Sequence, residues 1–192
     1  MIVSLLMLAA VLLLGTSAAQ IALQGEKASR NDRDRQIAFQ AAEAALMDAE
    51  LDIENSPDPA KSRSKQFSKG SAIGFPGDGE EPCGSGEANT NLGVCRRAPD
   101  GAAPIWLTVD LLDTASSTTS SVPYGKFTGQ VFPNGKGSLP GKLPRYVIEL
   151  MIDSKQAANA DQVSYVYRVT AIGFGAKDSA QVVLQTFYRK ED

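Results

Sequence analysis

The sequence predicts an α+β fold in which the second half of one long N-terminal helix packs on an antiparallel sheet near the C-terminus. Three observations lead there. Residues 2–23 form an uncharged run dominated by Leu, Val, Ala and Ile. The helical signal then continues to Glu54 but divides into an apolar and a polar face. Three strand-like runs with short connections occupy residues 145–188.

The first run has about the 20 apolar residues an α-helix needs to cross a bilayer. Polarity changes at Gln24-Gly25-Glu26-Lys27 without a helix breaker. Ala38, Ala42, Leu46, Ala49 and Ile53 then recur at helical spacing and form the stripe expected to pack on the sheet. Gln36, Gln40, Glu43, Glu50 and Glu54 lie on another face, interrupted by Met47. Asn55-Ser56-Pro57 ends the element, because Pro cannot continue a helix. At about 1.5 Å per residue the whole rod spans roughly 80 Å. The expected divisions are a membrane-spanning half (1–23), an amphipathic half (24–54) and a head (55–192).

From Pro57 to Leu143 the texture is Gly, Pro, Ser and short polar runs. Phe75-Pro76-Gly77-Asp78-Gly79 and Pro82-Cys83-Gly84 read as turns. Trp106, flanked by Ile105 and Leu107, is the aromatic expected in the core of this region. The Ser/Thr run from Thr114 to Ser121 reads as an exposed spacer, with glycosylation or adhesion as the rival reading. Beyond it, residues 146–152 are a near-continuous apolar strand. Val163, Tyr165, Tyr167, Val169 and Ala171 alternate with Ser164, Val166, Arg168 and Thr170 in a second strand. Residues 173–178 read as a turn, and Gln181 to Tyr188 as a third strand completing a meander.

Composition narrows the function. The net charge of −3, without a basic patch, gives no electrostatic footprint for nucleic acid. Histidine is absent, which removes the commonest general base and metal ligand. No phosphate loop, nucleophile elbow or metal-ligand spacing occurs, so no enzyme and no cofactor are expected. The two cysteines fit either free thiols or one disulfide in an oxidising compartment. Nothing else offers Cys83 or Cys95 a partner, and Cys83 as a nucleophile lacks a base. A structural disulfide is therefore expected, worth roughly 3 kcal/mol for a loop of this size. Asp78, Glu80, Glu81 and Glu87 form an acidic cluster without the alternating oxygen ligands of a calcium loop, so a solvated loop is expected.

The run Leu23-Gln24-Gly25-Glu26-Lys27, followed by residues 31–46 with the pattern RDRxxAFQAAEAAL, resembles the N-terminal motif of the PilX family, minor pilins of the type IVa pilus. Further matches recur in order at Tyr124-Gly125, at Pro144-Arg145-Tyr146-Val147-Ile148-Glu149, at Tyr167-Arg168-Val169-Thr170-Ala171 and at Val182-Val183-Leu184-Gln185. The resemblance implies a pilin-like fold and a single-pass anchor in the bacterial inner membrane with the head in the periplasm. It further implies a priming complex with other minor pilins and the major pilin, residence near the pilus tip, and a tip-associated adhesin as a further partner. Filaments of this kind serve twitching motility and adhesion. Arg33, Arg35 and Glu43 fall where neighbouring subunits stack, although local pairing on the helix fits the same spacing.

Family precursors carry a short basic leader ending in Gly, so Met1 is expected to lie a few residues inside the mature protein. That expectation also answers the basic residues Lys27, Arg30, Arg33 and Arg35, which on the positive-inside rule alone would place the head in the cytoplasm. Major pilins carry a Glu at the fifth mature position; on this alignment the matching residue lies near Val3, which suits a distal subunit. Two rivals stand beside this reading. A minor pseudopilin of a type II secretion system shares the N-terminal layout, but its tip subunit has a larger helical insertion. A periplasmic binding protein would cleave a signal peptide after Thr16-Ser17-Ala18-Ala19, which the missing basic n-region and the continuing helix oppose.

Overall fold

One unbroken helix, α1 (Ile2–Glu54), forms the spine of the computed structural model, which describes residues 1–68, 70–153 and 164–190. Strong helix formers and the absence of Pro keep it continuous, and Pro57 follows its end. Its last turn is capped from the far end of the chain. Lys190 Nζ donates to the carbonyl of Ile53 (2.9 Å), an acceptor that the helix terminus leaves open, and to that of Ser64 (2.8 Å) in the following 3₁₀ turn.

The sheet is mixed. Strands β3 (Arg145–Ile152), β4 (Tyr165–Phe174) and β5 (Gln181–Tyr188) are antiparallel neighbours. Two-residue strands β1 (Val94–Cys95) and β2 (Val122–Pro123) both pair with β3, β1 parallel and β2 antiparallel. These additions to the predicted meander come from the loop-rich stretch and are too short to show a period of two in the sequence. The same stretch holds a 3₁₀ turn at Ser64–Gln66 and a one-turn helix, α2 (Ile105–Thr108).

The inner face is covered along the sheet, whereas the outer face is covered over β3 and the end of β4 and leaves Val183 and Phe187 of β5 exposed. On the inner face Tyr146, Ile148, Tyr167, Val169 and Ala171 pack against Ala45, Ala49 and Ile53 of α1, with Phe67, Leu92 and Phe127 closing the sides. On the outer face Val147, Ile172 and Phe174 pack under Cys83, Cys95, Ile105 and Leu111. The inner contact is very close. A Cβ built on Gly173 of β4 would lie 2.1 Å from the Ala38 carbonyl oxygen and 2.3 Å from the Ala42 nitrogen. Helix and strand backbones therefore touch with no side chain between them.

Several expectations are corrected here. Gly173 and Phe174 belong to β4, and the turn begins at Gly175; Gly173 serves close packing rather than chain reversal. Trp106 is not the core aromatic. It sits on α2 at 37% exposure while its neighbour Ile105 is buried. The core aromatics are Phe67 and Phe127, with Phe67 edge-on to Tyr167 at 5.5 Å and Phe75 stacked on Tyr167 at 6.0 Å. The Ser/Thr run is exposed only through Thr118. Thr119 and Ser121 are buried, and their oxygens accept 2.7 Å hydrogen bonds from the Arg145 guanidinium. Val163 lies outside the described residues.

The close approach predicts its own sensitivity. Gly173→Ala meets rigid backbone on both sides, so it should cost at least the roughly 1–3 kcal/mol typical of overpacking. Gly77→Ala, whose nearest neighbour is a Glu80 side-chain atom at 3.8 Å, should stay within about 0.5 kcal/mol of wild type. Denaturant unfolding of the full chain in detergent, followed by near-UV circular dichroism, measures both; equal effects would contradict the backbone contact.

Candidate functional site

The part of the molecule most in need of a partner is the first half of α1. Every residue from Ile2 to Arg33 is exposed, and each large apolar side chain among Ile2–Leu23 is at least 59% exposed. A helix that is apolar all round requires a membrane or a packed assembly around it, and this one is long and apolar enough to cross a bilayer. Its few hydroxyls are satisfied internally. Ser4 donates to the Met1 carbonyl, and Thr16 and Ser17 both donate to that of Leu13, the arrangement that lets polar side chains sit in hydrocarbon.

The second half of α1 is where the head attaches, and carboxylates do much of the attaching. Asp34, Asp48 and Asp52 lie on the buried face beside Ala38, Ala41, Ala42, Ala45, Ala49 and Ile53. Each aspartate holds a different segment. Asp34 Oδ1 accepts from the backbone N–H groups of Ala176 (2.7 Å) and Lys177 (3.3 Å), just after β4. Asp48 accepts from the Gly125 N–H (2.8 Å) and from the Thr128 hydroxyl. Asp52 accepts the Arg63 guanidinium through both oxygens, the shortest contact being 2.7 Å, and the Tyr146 hydroxyl at 2.9 Å. Arg63 also donates to the Leu92 carbonyl (2.7 Å) and lies over the Phe127 ring at 3.7 Å, so its buried charge is fully engaged.

These surroundings shift Asp48 itself and Tyr146. Burial pushes the Asp48 carboxyl above its ordinary value, opposed by the Thr128 and Gly125 hydrogen bonds and reinforced by the nearby Asp52 charge. Burial, joined by the Asp52 charge, holds the Tyr146 phenol well above its ordinary range.

Of the residues singled out from the sequence, Ala38, Ala42, Ala49 and Ile53 lie on the buried face, and Leu46 is partly buried at the margin of the inner core. Ala41 and Ala45, not singled out, are fully buried between them. Arg33, Arg35 and Glu43 are exposed. Cys83 and Cys95 are joined in a disulfide within the outer core. The acidic cluster does not converge. Asp78 pairs with Arg96 at 3.2 Å, Glu80 accepts from the Gly77 N–H, and among the described residues no three metal-ligating side chains come together. Hydrophobic periodicity does not single out the three buried aspartates; the available signal is that Asp is a poor helix-interior residue and that all three fall on the same face as the alanines.

Comparison with known proteins places both ends of the chain in one family. A family model described as PilX N-terminal matches residues 1–46, and one described as type IV pilus assembly protein PilX C-term matches residues 91–190. The chain belongs to the PilX family. Searches among curated proteins and among solved structures gave no match. As a PilX-family protein the chain is a structural component of the type IV pilus, which implies other pilus proteins as its partners. Its exposed apolar helix is consistent with anchoring in a membrane, and its arrangement of long helix on sheet is pilin-like.

Asp48 supplies a pH test of the attachment. Its folded value is raised, so the folded state retains a proton that the unfolded chain releases earlier. That contribution is complete below the ordinary carboxylate range and is lost as pH rises through the folded value. Wild type should therefore lose stability relative to Asp48→Asn as pH is raised from about 4 to 7, measured by thermal unfolding of both at each pH. A constant difference across that range would show that burial does not control this carboxyl.

Proposed function

We propose that this PilX-family chain is a minor pilin, held in the bacterial inner membrane with its head in the periplasm. There it joins other minor pilins in a complex that primes pilus assembly and stays at or near the tip. The observation that carries the reading is the wholly exposed apolar half of α1, projecting from a head fastened to the other half. In the membrane, acyl chains surround Ile2–Leu23; in a filament, neighbouring helices replace them. The exchange is between apolar environments, so side-chain packing and polar contacts rather than hydrophobic transfer select the partners.

The Cys83–Cys95 disulfide supports a periplasmic head, since such bonds persist in oxidising compartments. Arg33, Arg35 and Glu43 lie exposed near the junction of the two halves of α1, where charges on adjacent subunits can meet them. Other minor pilins and the major pilin are the proposed partners, with a tip-associated adhesin beyond them.

A priming tip subunit is used once per filament, whereas a shaft position repeats. Quantitative mass spectrometry of sheared pili should find this chain scarce relative to the major pilin, while its deletion should abolish or sharply reduce surface pili. Stoichiometry comparable with the major pilin would overturn the tip placement. Normal piliation after deletion, in a strain without a paralogue, would overturn the priming role.

A further inference from the structure

The sheet ends on β5, and among the described residues no strand pairs with its far edge. None of the residues of β5 is buried, although Val169 to Phe174 of the adjoining β4 all are. In an antiparallel pair every second residue turns both its N–H and its C=O away from the neighbour. Native sheets blunt such an edge with Lys, Pro, a bulge or a very short strand. Residues 181–188 have none of these devices: they carry no charge, Pro or Gly, and pair with β4 without interruption along their whole length. The edge of β3, by contrast, is already taken by β1 and β2 at Arg145, Tyr146, Ile148 and Glu149.

The surroundings of the open edge define what fits it. On the outer face Val183 and Phe187 are 51% and 60% exposed, apolar neighbours for a strand laid alongside. Over the inner face lies α1. Its flank on the β5 side is marked by Glu54, whose carboxylate accepts from the Tyr188 hydroxyl at 2.8 Å. Helical spacing puts Glu43 and Glu50 on that same flank. Glu43 is exposed and Glu50 half-buried, and among the described residues neither forms an ion pair.

We propose that the open edge of β5 takes an added strand from another pilus protein, by backbone pairing. That strand alternates apolar residues, beside Val183 and Phe187, with Lys or Arg directed at Glu43 and Glu50. The carboxylates argue against a second copy of this chain, whose own β5 brings no cation. Direction argues the same way. β5 runs alongside α1, from the strand end next to the Asp34–Ala176 contact to the Tyr188–Glu54 contact. Two antiparallel β5 strands would therefore point the two apolar helix halves in opposite directions, and both could not enter one bilayer from the same side. The proposal rests on the chain acting in an assembly, but not on a place at the pilus tip.

The probe is a fluorescent form of the peptide acetyl-Val-Lys-Val-Lys-Phe-Lys-Val-Lys-amide, added to the full chain in an uncharged detergent. It should bind saturably and slow hydrogen exchange at alternate amides of β5, those directed away from β4. Pro at the third and sixth peptide positions, or Glu in place of every Lys, should abolish binding. Glu43→Gln combined with Glu50→Gln should weaken it about threefold or more, as two exposed ion pairs allow. The exchange pattern of that variant without peptide checks that it is folded. No saturable binding, binding that leaves the β5 amides unprotected, or equal binding of the Pro or Glu peptide would overturn the proposal. Protection of β5 that grows with protein concentration in the absence of peptide would overturn it in favour of a second copy. These amides report on the edge alone, so their failure to respond would leave the pilus counts that test priming unaffected, and the reverse also holds.

Discussion

The head is organised by how closely α1 lies on β4. At Gly173 the strand meets the helix backbone directly, and that distance is compatible only with small residues along the facing side of the helix. Ala38, Ala41, Ala42, Ala45 and Ala49 meet the requirement. The same requirement limits what α1 can contribute to the core, because alanine buries little apolar surface. The bulk of the inner core is supplied instead by Tyr146, Tyr167, Phe67 and Phe127, from the sheet and from the loops that flank the helix.

A row of alanines gives closeness but little positional information, and the aspartates provide what it lacks. Asp34, Asp48 and Asp52 each engage donors whose positions depend on a particular loop conformation. Replacing a buried ion pair with apolar residues is often neutral or stabilising, so the Asp52–Arg63 pair is poor evidence for stability as such. Its geometry is more informative. Arg63 ties the Asp52 carboxylate to the Leu92 carbonyl and to the Phe127 ring, which brings three parts of an otherwise irregular loop region to one place on the helix.

The elements with sustained periodicity were legible in the sequence. α1 ends at Glu54, before Pro57, and β5 runs from Gln181 to Tyr188, as their patterns indicate. The α+β class and most of the PilX resemblance rest on those same stretches. The loop-rich region was legible only as turns. Its short strands β1 and β2 depend on the edge of β3 for their partners, so local pattern carries no trace of them. Trp106 was misplaced because aromatic content predicts burial only on average, and one turn of helix turns Ile105 inward instead. Gly173 was read as chain punctuation because a glycine needed for close packing and one needed for a turn look alike in sequence. The buried aspartates were hidden for a related reason: their donors come from residues far along the chain, at positions 63, 125, 128, 146, 176 and 177.

The placement of those aspartates has a mechanical consequence. Asp34 and Asp52 are 18 positions apart, about 27 Å along the helix axis at 1.5 Å per residue, with Asp48 between them and the Lys190 cap just beyond. Tension applied along α1 acts on these contacts in shear. They lie along the line of pull rather than across it, so they share the force instead of opening one after another as a peeled seam does. The apolar half can be drawn on lengthwise while the head keeps its orientation on the rod.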